Sequence, residues 1–407
     1  MSAKHLPKET AVKAITSSVT GDMRNSSIEL LRLISMFMIV GCHFVRGDTI
    51  GEYGNWIASQ PTSITKYIYM AIYMGGGWVG NVVFFTISVW FLLDRHLSIQ
   101  NSFKRIWMLE RELLFWSLTL LAVTWILHLT GVHDTSGLLS ISTQSILPLS
   151  LNLWWYPTSY ALFLLFLPYL SRGLHSLGER MHRILALSVL IIWGFAGIIP
   201  QIQFNLTTPS VFVFLYLFTL ISYYKWYMRE FSTRTCVWAV ITAFAFNSAY
   251  WLLASLLNQY TGHYAKLQNF PFDHWMLPEV TIGFALFIIF SRKKFHSKFI
   301  NTLASSAFGI YLIHTYPGVR ALIFSILPVT KAFLSSAPVV TGLVYMLIIY
   351  FACLLLDLCR QGLFSLTLDR KKGRRFDNVY GYISAQLTAF SDYRGTDTMK
   401  STKSSLK

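Results

Sequence analysis

Two ionisable residues interrupt the first apolar segment of the chain, Ile28 to Val45: Arg32 lies near its start and His43 near its end. Eleven residues of α-helix rise about 16 Å and turn about 20° beyond three full turns, so both side chains would share one helix face. Ionisable groups inside a membrane helix are costly, usually face the protein interior and by default indicate function. A guanidinium offers anion binding, and an imidazole offers proton or group transfer. The alternative is that Arg32 reaches cytoplasmic phosphates while His43 lies in the opposite interface.

The helix that carries this pair belongs to a strongly apolar chain. Of its 407 residues, 54% are hydrophobic, 16% are aromatic and 13% are charged, which excludes an ordinary soluble two-domain protein. The net charge of +16 is spread over short loops between apolar segments, so we expect no nucleic-acid partner. The four cysteines lie in or beside apolar segments without metal-ligand spacing, so neither a disulfide framework nor a metal site is predicted.

Ten apolar segments predict an all-α protein, a polytopic transmembrane helical bundle of about ten spans. Gly75-Gly76-Gly77 is expected to separate the second span from an interfacial aromatic run, and Pro317-Gly318 is expected to kink or break the ninth. The bundle is expected over residues 28–362, between a cytoplasmic tail at 1–27 and a basic, poorly ordered cytoplasmic tail at 363–407. The ten segments cover residues 28–45, 78–93, 112–130, 153–171, 183–200, 210–227, 235–257, 276–291, 302–328 and 337–359.

The distribution of basic residues orients this bundle. Of the 34 Lys and Arg residues, 29 lie in the termini and in the loops that would share their side of the membrane, and 5 lie on the other side. Cytoplasmic loops carry the excess of Lys and Arg, so both termini are predicted to be cytoplasmic. Arg32 then lies toward the cytoplasm and His43 toward the outside.

The orientation sorts the remaining candidate residues into two groups. Basic residues before the third span could hold the phosphates of an anionic cofactor, although the positive-inside rule alone would also place them there. At the outer ends of later spans lie polar and aromatic residues that suit either an acceptor site or an interfacial belt. The first group is Lys104, Arg105 and Arg111, and the second is Trp154, Trp155, Tyr160, Glu279 and His314.

Several motifs resemble those of one family. The spacing Arg32-x10-His43 within SSIELLRLISMFMIVGCH resembles the first-helix hallmark of the acyltransferase-3 family of integral membrane acyltransferases. VVFFTISVWFLL at 82–93, the basic residues at 104, 105 and 111, LWWYPTSYALFLLFLPYL at 153–170 and FGIYLIH at 308–314 are similar to further family motifs, in the same order. Asn81 stands where the family usually has Asp, and Val89 replaces the Gly after Ser88. The likeness covers about residues 26 to 360.

This resemblance implies transfer of an acyl group, usually acetyl from cytosolic acetyl-CoA, to a sugar hydroxyl of a cell-surface or lipid-linked glycan. It implies a multi-pass protein of the cell membrane, a bacterial plasma membrane, in contact with membrane lipids. His43 would act as general base or as an acyl relay, with Glu279 as a partner that orients it or stabilises charge. The implied donor residues are Arg32, Lys104, Arg105 and Arg111, and the implied acceptor residues are Trp154, Trp155, Tyr160 and His314.

Two rival interpretations use the same residues. His43 also begins an H-x4-D string that ends at Asp48 and resembles the acid/base pair of glycerolipid acyltransferases, but that family's compact domain and phosphate-binding segment are absent from the sequence. A transporter or a flippase for a glycan or lipid-linked sugar is the stronger alternative, because intramembrane charges also mark transport pathways. The sequence shows no internal repeat of the kind that many transporters carry.

Overall fold

The computed structural model describes residues 24–47, 52–95, 97–133, 135–199, 202, 206, 211–263, 265–268, 272–367 and 373–386, and all regular structure among them is helical. The predicted tails therefore lie largely outside the described residues, as does Asp48. In chain order the helices are α1 (Ser26–Arg46), α2 (Glu52–Ser59), α3 (Ile64–Leu92), α4 (Ile99–Leu129), α5 (Leu138–Ile146), α6 (Trp155–Ser176), α7 (Gly178–Ile198), α8 (Val211–Tyr227), α9 (Thr233–Thr261), α10 (Leu277–Arg292), α11 (Lys298–Thr315), α12 (Pro317–Phe333), α13 (Pro338–Leu366) and α14 (374–386).

A helix coincides with each of the ten predicted apolar segments. Within the described residues, six helices are long and apolar enough to cross a membrane, namely α1, α3, α4, α7, α9 and α13, and the bent pair α11–α12 makes up to seven. The chain is thus a polytopic helical membrane protein. Ten as the number of spans, and the orientation of the termini, stay predictions.

The three consecutive glycines do not break a helix, contrary to the sequence prediction. α3 runs without interruption through Gly75-Gly76-Gly77, and the aromatic run before them is wound as a π-helix over Ile68–Met74. The reason is packing against α1: a Cβ added to Gly77 would lie 2.2 Å from the Cβ of Cys42, and one added to Gly80 would lie 2.6 Å from the Ser35 carbonyl oxygen. Small residues here allow two membrane helices to approach closely.

The predicted break at Pro317-Gly318 is confirmed. α11 ends at Thr315, α12 begins at Pro317, and the two helix axes are bent by 79°. Tyr316 between them is extended (ψ 129°), as expected for a residue that precedes proline. The last turn of α11 thereby ends in the interior of the bundle, where α1 packs against α3, α10, α11 and α13.

The topology has a direct test. We expect a cysteine at position 263, in the loop after α9, to react with a membrane-impermeant maleimide in intact cells, and a cysteine at 375, on α14, to react only after the membrane is opened. Both would be introduced by His263→Cys and Arg375→Cys in a Cys359→Ser background, because Cys359 is exposed and the other three cysteines are buried. Labelling of position 375 in intact cells would contradict cytoplasmic termini.

Candidate active site

Two histidines meet at the ends of α1 and α11. His43 Nδ1 lies 2.8 Å from His314 Nε2, and the ring centroids are 5.1 Å apart. His314 Nδ1 lies 2.6 Å from the carbonyl oxygen of Ile310, one turn earlier in α11. His314 is 4% exposed, whereas His43 is only partly buried. The structure therefore brings His314, predicted as an acceptor residue, directly onto the predicted catalytic residue.

A hydrogen bond connects the end of α1, which carries His43, to α12, which follows His314 along the chain. Gly47 ends α1 with φ 61°, a conformation that glycine adopts readily, and its N–H donates to the His43 carbonyl oxygen at 3.1 Å. The Gly47 carbonyl oxygen in turn accepts from Arg320 Nε at 3.2 Å. Arg320 lies on α12, which turns back toward α1 only because the chain bends after His314. The same bend thus positions His314 and secures the end of α1.

The expected partnership of Glu279 with His43 is not what the structure shows. Glu279 is fully buried, and its Oε1 accepts a hydrogen bond from Asn247 Nδ2 at 2.7 Å, across the contact between α9 and α10. His43 has His314 as its hydrogen-bond partner among the described residues. Proximity in the outer half of the membrane was the only sequence basis for pairing Glu279 with His43, and it does not determine which helices touch.

At the Arg32 end of α1, which the charge distribution predicts to be cytoplasmic, the bundle opens a basic cleft of about 420 Å³. Arg32 lines it, 26% exposed, with its NH1 atom 2.9 Å from Glu29 Oε2 on the preceding turn. Its walls are both charged and apolar, so it suits a ligand with an anionic end and an apolar stem. The basic residues that line it are Arg24, Arg32, Arg111 and Arg360; the apolar residues are Phe84, Met108, Ala304, Phe308 and Phe364.

Arg360 is a cleft residue that the sequence analysis missed. It is buried and donates to both carboxylate oxygens of Asp357, at 2.7 and 3.1 Å, and it pairs with Glu112 of α4 at 3.0 Å. Asp357 also accepts from Trp116 Nε1 at 3.0 Å. The available signal was the Asp357-x2-Arg360 spacing, which places both side chains on one helix face. In the sequence, Arg360 enters only the count of the 29 basic residues on the side of the termini.

Two of the predicted donor residues lie elsewhere. Lys104 is absent from the described lining of the cleft and pairs with Asp377 of α14 at 2.7 Å. Arg105 is also absent from that lining, but it interacts electrostatically with Tyr160, as Arg32 does. The predicted basic motif is therefore divided: Arg111 lines the cleft, Arg105 interacts electrostatically with Tyr160 of α6, and Lys104 pairs with Asp377 of α14.

Three tyrosines connect the cleft with the histidine pair. The Tyr156 ring lies 6.4 Å from Tyr160 and 6.2 Å from Tyr311, and the Tyr311 ring lies 6.2 Å from His43. Tyr160, at one end of this tyrosine path, interacts electrostatically with Arg32, and its place at the outer surface stays a prediction. Arg32 and His43, at opposite ends of the path, share one face of α1.

The predicted tryptophans lie near the start of α6, at the end of the bundle that is predicted to face outward. Trp154 is buried, and its ring lies 6.0 Å from Tyr316. Trp155 is partly buried and belongs to an outer aromatic cluster, which we define as Arg46, Trp78, Trp155, Asp273 and His274.

Ring contacts and charge hold this outer aromatic cluster together. His274 stacks on Trp78 at 5.5 Å, its ring lies 5.6 Å from Trp155, and its Nδ1 lies 2.8 Å from Asp273 Oδ1. The Arg46 guanidinium carbon also lies over the Trp78 ring, 5.3 Å from the ring centroid. Burial raises the pKa of the Asp273 carboxyl above its ordinary value, and the neighbouring His274 and Arg46 counteract that rise in part.

Comparison with known proteins identifies the family of this chain. A family model described as an acyltransferase domain matches residues 25–358, from the start of α1 to the last part of α13. No curated protein and no solved structure matches the chain. The matched residues contain the tyrosine path, the histidine pair and most of the cleft lining, whereas Arg24, Arg360, Gln361 and Phe364 of that lining fall outside the match.

Proposed function

Because the chain belongs to the acyltransferase-3 family, we propose that this membrane acyltransferase moves an acetyl group from cytosolic acetyl-CoA to a hydroxyl of a cell-surface or lipid-linked glycan, in a bacterial plasma membrane. One observation carries the proposal. A cleft lined by arginines and an imidazole pair, of which His314 is buried and His43 partly buried, lie at the two ends of one face of α1, linked by tyrosines.

The cleft suits the donor. Acetyl-CoA carries several negative charges, and the guanidinium groups of Arg32 and Arg111 can contact phosphate oxygens in pairs. Arg360 adds a guanidinium whose Nε and Nη2 atoms already bind Asp357 and Glu112. Asp357 and Glu112 restrict the Arg360 side chain, so little rotamer entropy remains to be lost on binding. The thioester end would follow the tyrosine path toward His43, about 16 Å along α1 from Arg32.

The reaction needs a base at the end of that path. In direct transfer, the His43 imidazole takes the proton of the acceptor hydroxyl while the hydroxyl oxygen attacks the thioester carbonyl carbon. The carbon–sulfur bond then breaks, and the departing CoA thiolate takes the proton back from the imidazolium. In the relay route, the imidazole itself attacks the thioester carbonyl carbon, the carbon–sulfur bond breaks, and CoA leaves as a thiolate. The hydroxyl then takes the acetyl group from the acetyl-imidazolium, the imidazole is regenerated in its neutral form, and the hydroxyl proton goes to the thiolate. Both routes use the same nitrogen of His43.

For the acceptor we propose the outer aromatic cluster and the adjacent Trp154. Indole rings of Trp78 and Trp155 provide apolar area together with an N–H donor, and Asp273 and Arg46 provide hydrogen-bonding groups beside them. Such a mixture suits a sugar, which has both apolar C–H faces and hydroxyl groups. No metal is part of the proposal.

The test uses the protein in its own membrane. Membranes from cells that express the chain, supplied with acetyl-labelled acetyl-CoA on the cytoplasmic side, should incorporate label into surface glycan as an alkali-labile ester. A transporter or flippase predicts that glycan crosses the membrane with no label in it. Wild-type protein that moves glycan without label incorporation would overturn the acyltransferase proposal.

Glu279 has a separate prediction. Glu279→Gln is expected to keep a turnover close to the wild-type value, because the amide oxygen can still accept from Asn247 and His43 is paired with His314. Glycan acetylation per molecule of membrane protein measures this, with Asn247→Ala as a second variant at the same contact. If Glu279→Gln loses as much acetylation turnover as a His43 variant, then Glu279 is a catalytic partner of His43 after all.

A further inference from the structure

The hydrogen-bond chain from Ile310 through His314 to His43 allows one arrangement of protons when both rings are neutral. The Ile310 carbonyl oxygen can only accept, so His314 Nδ1, at 2.6 Å, carries the proton and donates it. A neutral imidazole protonated at Nδ1 has an acceptor at Nε2. His43 Nδ1 lies 2.8 Å from that acceptor and must therefore donate to it. The unprotonated nitrogen of His43 is then Nε2.

The surroundings of the pair support this neutral arrangement. His314 is 4% exposed, and no carboxylate forms a hydrogen bond or an ion pair with either ring among the described residues. Among the described residues near the end of α1, two are positively charged: Arg320, which binds the Gly47 carbonyl oxygen, and Arg46, which covers Trp78. The nearby Asp273 carboxylate pairs with His274 and not with either ring of the histidine pair. A further buried cation beside the two guanidinium groups would be costly. His43 Nε2 makes no hydrogen bond to a described residue and is available to a substrate.

We propose that His314 is a positioning residue, which holds His43 in the Nδ1–H tautomer so that His43 Nε2 is the reactive nitrogen. This role of His314 rests on the proposed function, and it assigns the proton or acyl transfer to one atom, His43 Nε2. A backbone carbonyl and a neutral imidazole here do what a buried carboxylate does for the histidine of serine hydrolases, which is to select the tautomer and the ring orientation. They do so without placing an uncompensated negative charge in the membrane interior.

Two substitutions at position 314 separate this role from simple packing. His314→Gln retains a group near the position of Nε2 whose oxygen can accept from His43 Nδ1, whereas His314→Leu fills similar space with no acceptor. We expect kcat to fall about 100-fold in His314→Leu, as it does for residues that orient another catalytic group. We expect a smaller fall in His314→Gln, and an unchanged KM for acetyl-CoA in both. Equal losses in the two variants, or none in His314→Leu, would overturn the proposal.

His182 provides the matched control. It is a buried histidine of α7 whose Nε2 lies 3.1 Å from the Thr219 carbonyl oxygen, remote from the histidine pair. His182→Leu removes a buried imidazole in the same way, so it should lower the amount of protein in the membrane without lowering kcat per molecule. A kcat loss in His182→Leu equal to that in His314→Leu would mean that any buried imidazole has this effect, which contradicts a positioning role.

A spectroscopic readout tests the tautomer itself, independently of the acceptor. Nitrogen-15 resonances of the eleven histidines can be recorded in lipid bilayers, and the His43 signals identified by their loss in His43→Ala. We expect the Nδ1–H tautomer in the wild type and a mixture with the Nε2–H tautomer in His314→Leu. A wild-type Nε2–H tautomer would overturn the inference even if His314→Leu fails to fold. A wild type that acylates nothing would remove the proposed function while the tautomer assignment still stands.

Discussion

Replacing His43 with alanine is expected to abolish glycan acetylation while leaving the protein in the membrane and its affinity for acetyl-CoA intact. The loss should be at least 10²- to 10⁴-fold, about the contribution of general-base catalysis alone, and larger if His43 carries the acyl group. Folding should be preserved because His43 lies in the last turn of α1 and is partly exposed, so its removal opens no large core cavity. Affinity for the donor should be preserved because the basic cleft lies at the other end of the helix.

The measurement has three parts: acetyl content of the surface glycan, protein level in the membrane fraction, and binding of acetyl-CoA. A purely structural His43 predicts low protein level with normal acetylation per molecule, the reverse of our expectation. His182→Ala serves as the control, since it also removes an imidazole but from the contact between α7 and α8. A His43→Ala protein that is present at normal level and acetylates normally would show that His43 is not catalytic.

The residues that the sequence could identify are those whose relation lies within one helix. Arg32 and His43 share a face of α1 because of helical periodicity alone, and neither neighbour nor fold is needed to see it. The broken helix near Pro317 is equally local, since proline lacks an N–H and restricts the residue before it. The apolar segments locate the helices for the same reason, because each segment must form its backbone hydrogen bonds within itself.

The contact between His43 and His314 could not be identified in this way. The two residues are 271 positions apart, and their meeting depends on how sharply the chain turns after α11 and on Arg320 reaching back to α1. The prediction of a break at the glycines of α3 was wrong for a related reason. Local propensity predicts that glycines interrupt a helix, but α1 packs so closely against Gly77 and Gly80 that only glycine fits at these positions of a continuous helix.

The basic residues show a third limit of local patterns. The positive-inside rule explains every cytoplasmic Lys and Arg equally well, so it could not distinguish Arg360, which lines the cleft, from Lys104, which pairs with Asp377. Only the arrangement of α4, α13 and α14 separates them. That distinction provides a matched pair of variants for the donor site.

Arg32→Ala is expected to raise the KM for acetyl-CoA by about 10- to 150-fold, the equivalent of one charge-assisted hydrogen bond of roughly 1.5–3 kcal/mol. The effect should fall on KM more than on kcat, because a phosphate far from the reacting carbonyl is bound equally in the ground state and the transition state. Lys104→Ala, which removes a cation that does not line the cleft, should leave this KM near the wild-type value. Steady-state kinetics with acetyl-CoA varied at saturating acceptor would measure both.

Removing Arg32 also deprives Glu29 of its partner at 2.9 Å, so a raised KM has a second physical explanation, a carboxylate left unpaired beside the cleft. Arg32→Lys separates the two explanations. It keeps a cation near Glu29 but loses the planar fork that binds phosphate oxygens in pairs. We expect the KM of Arg32→Lys to lie between that of the wild type and that of Arg32→Ala. A wild-type KM in Arg32→Lys would assign the effect to Glu29, and a wild-type KM in Arg32→Ala would remove Arg32 from the donor site.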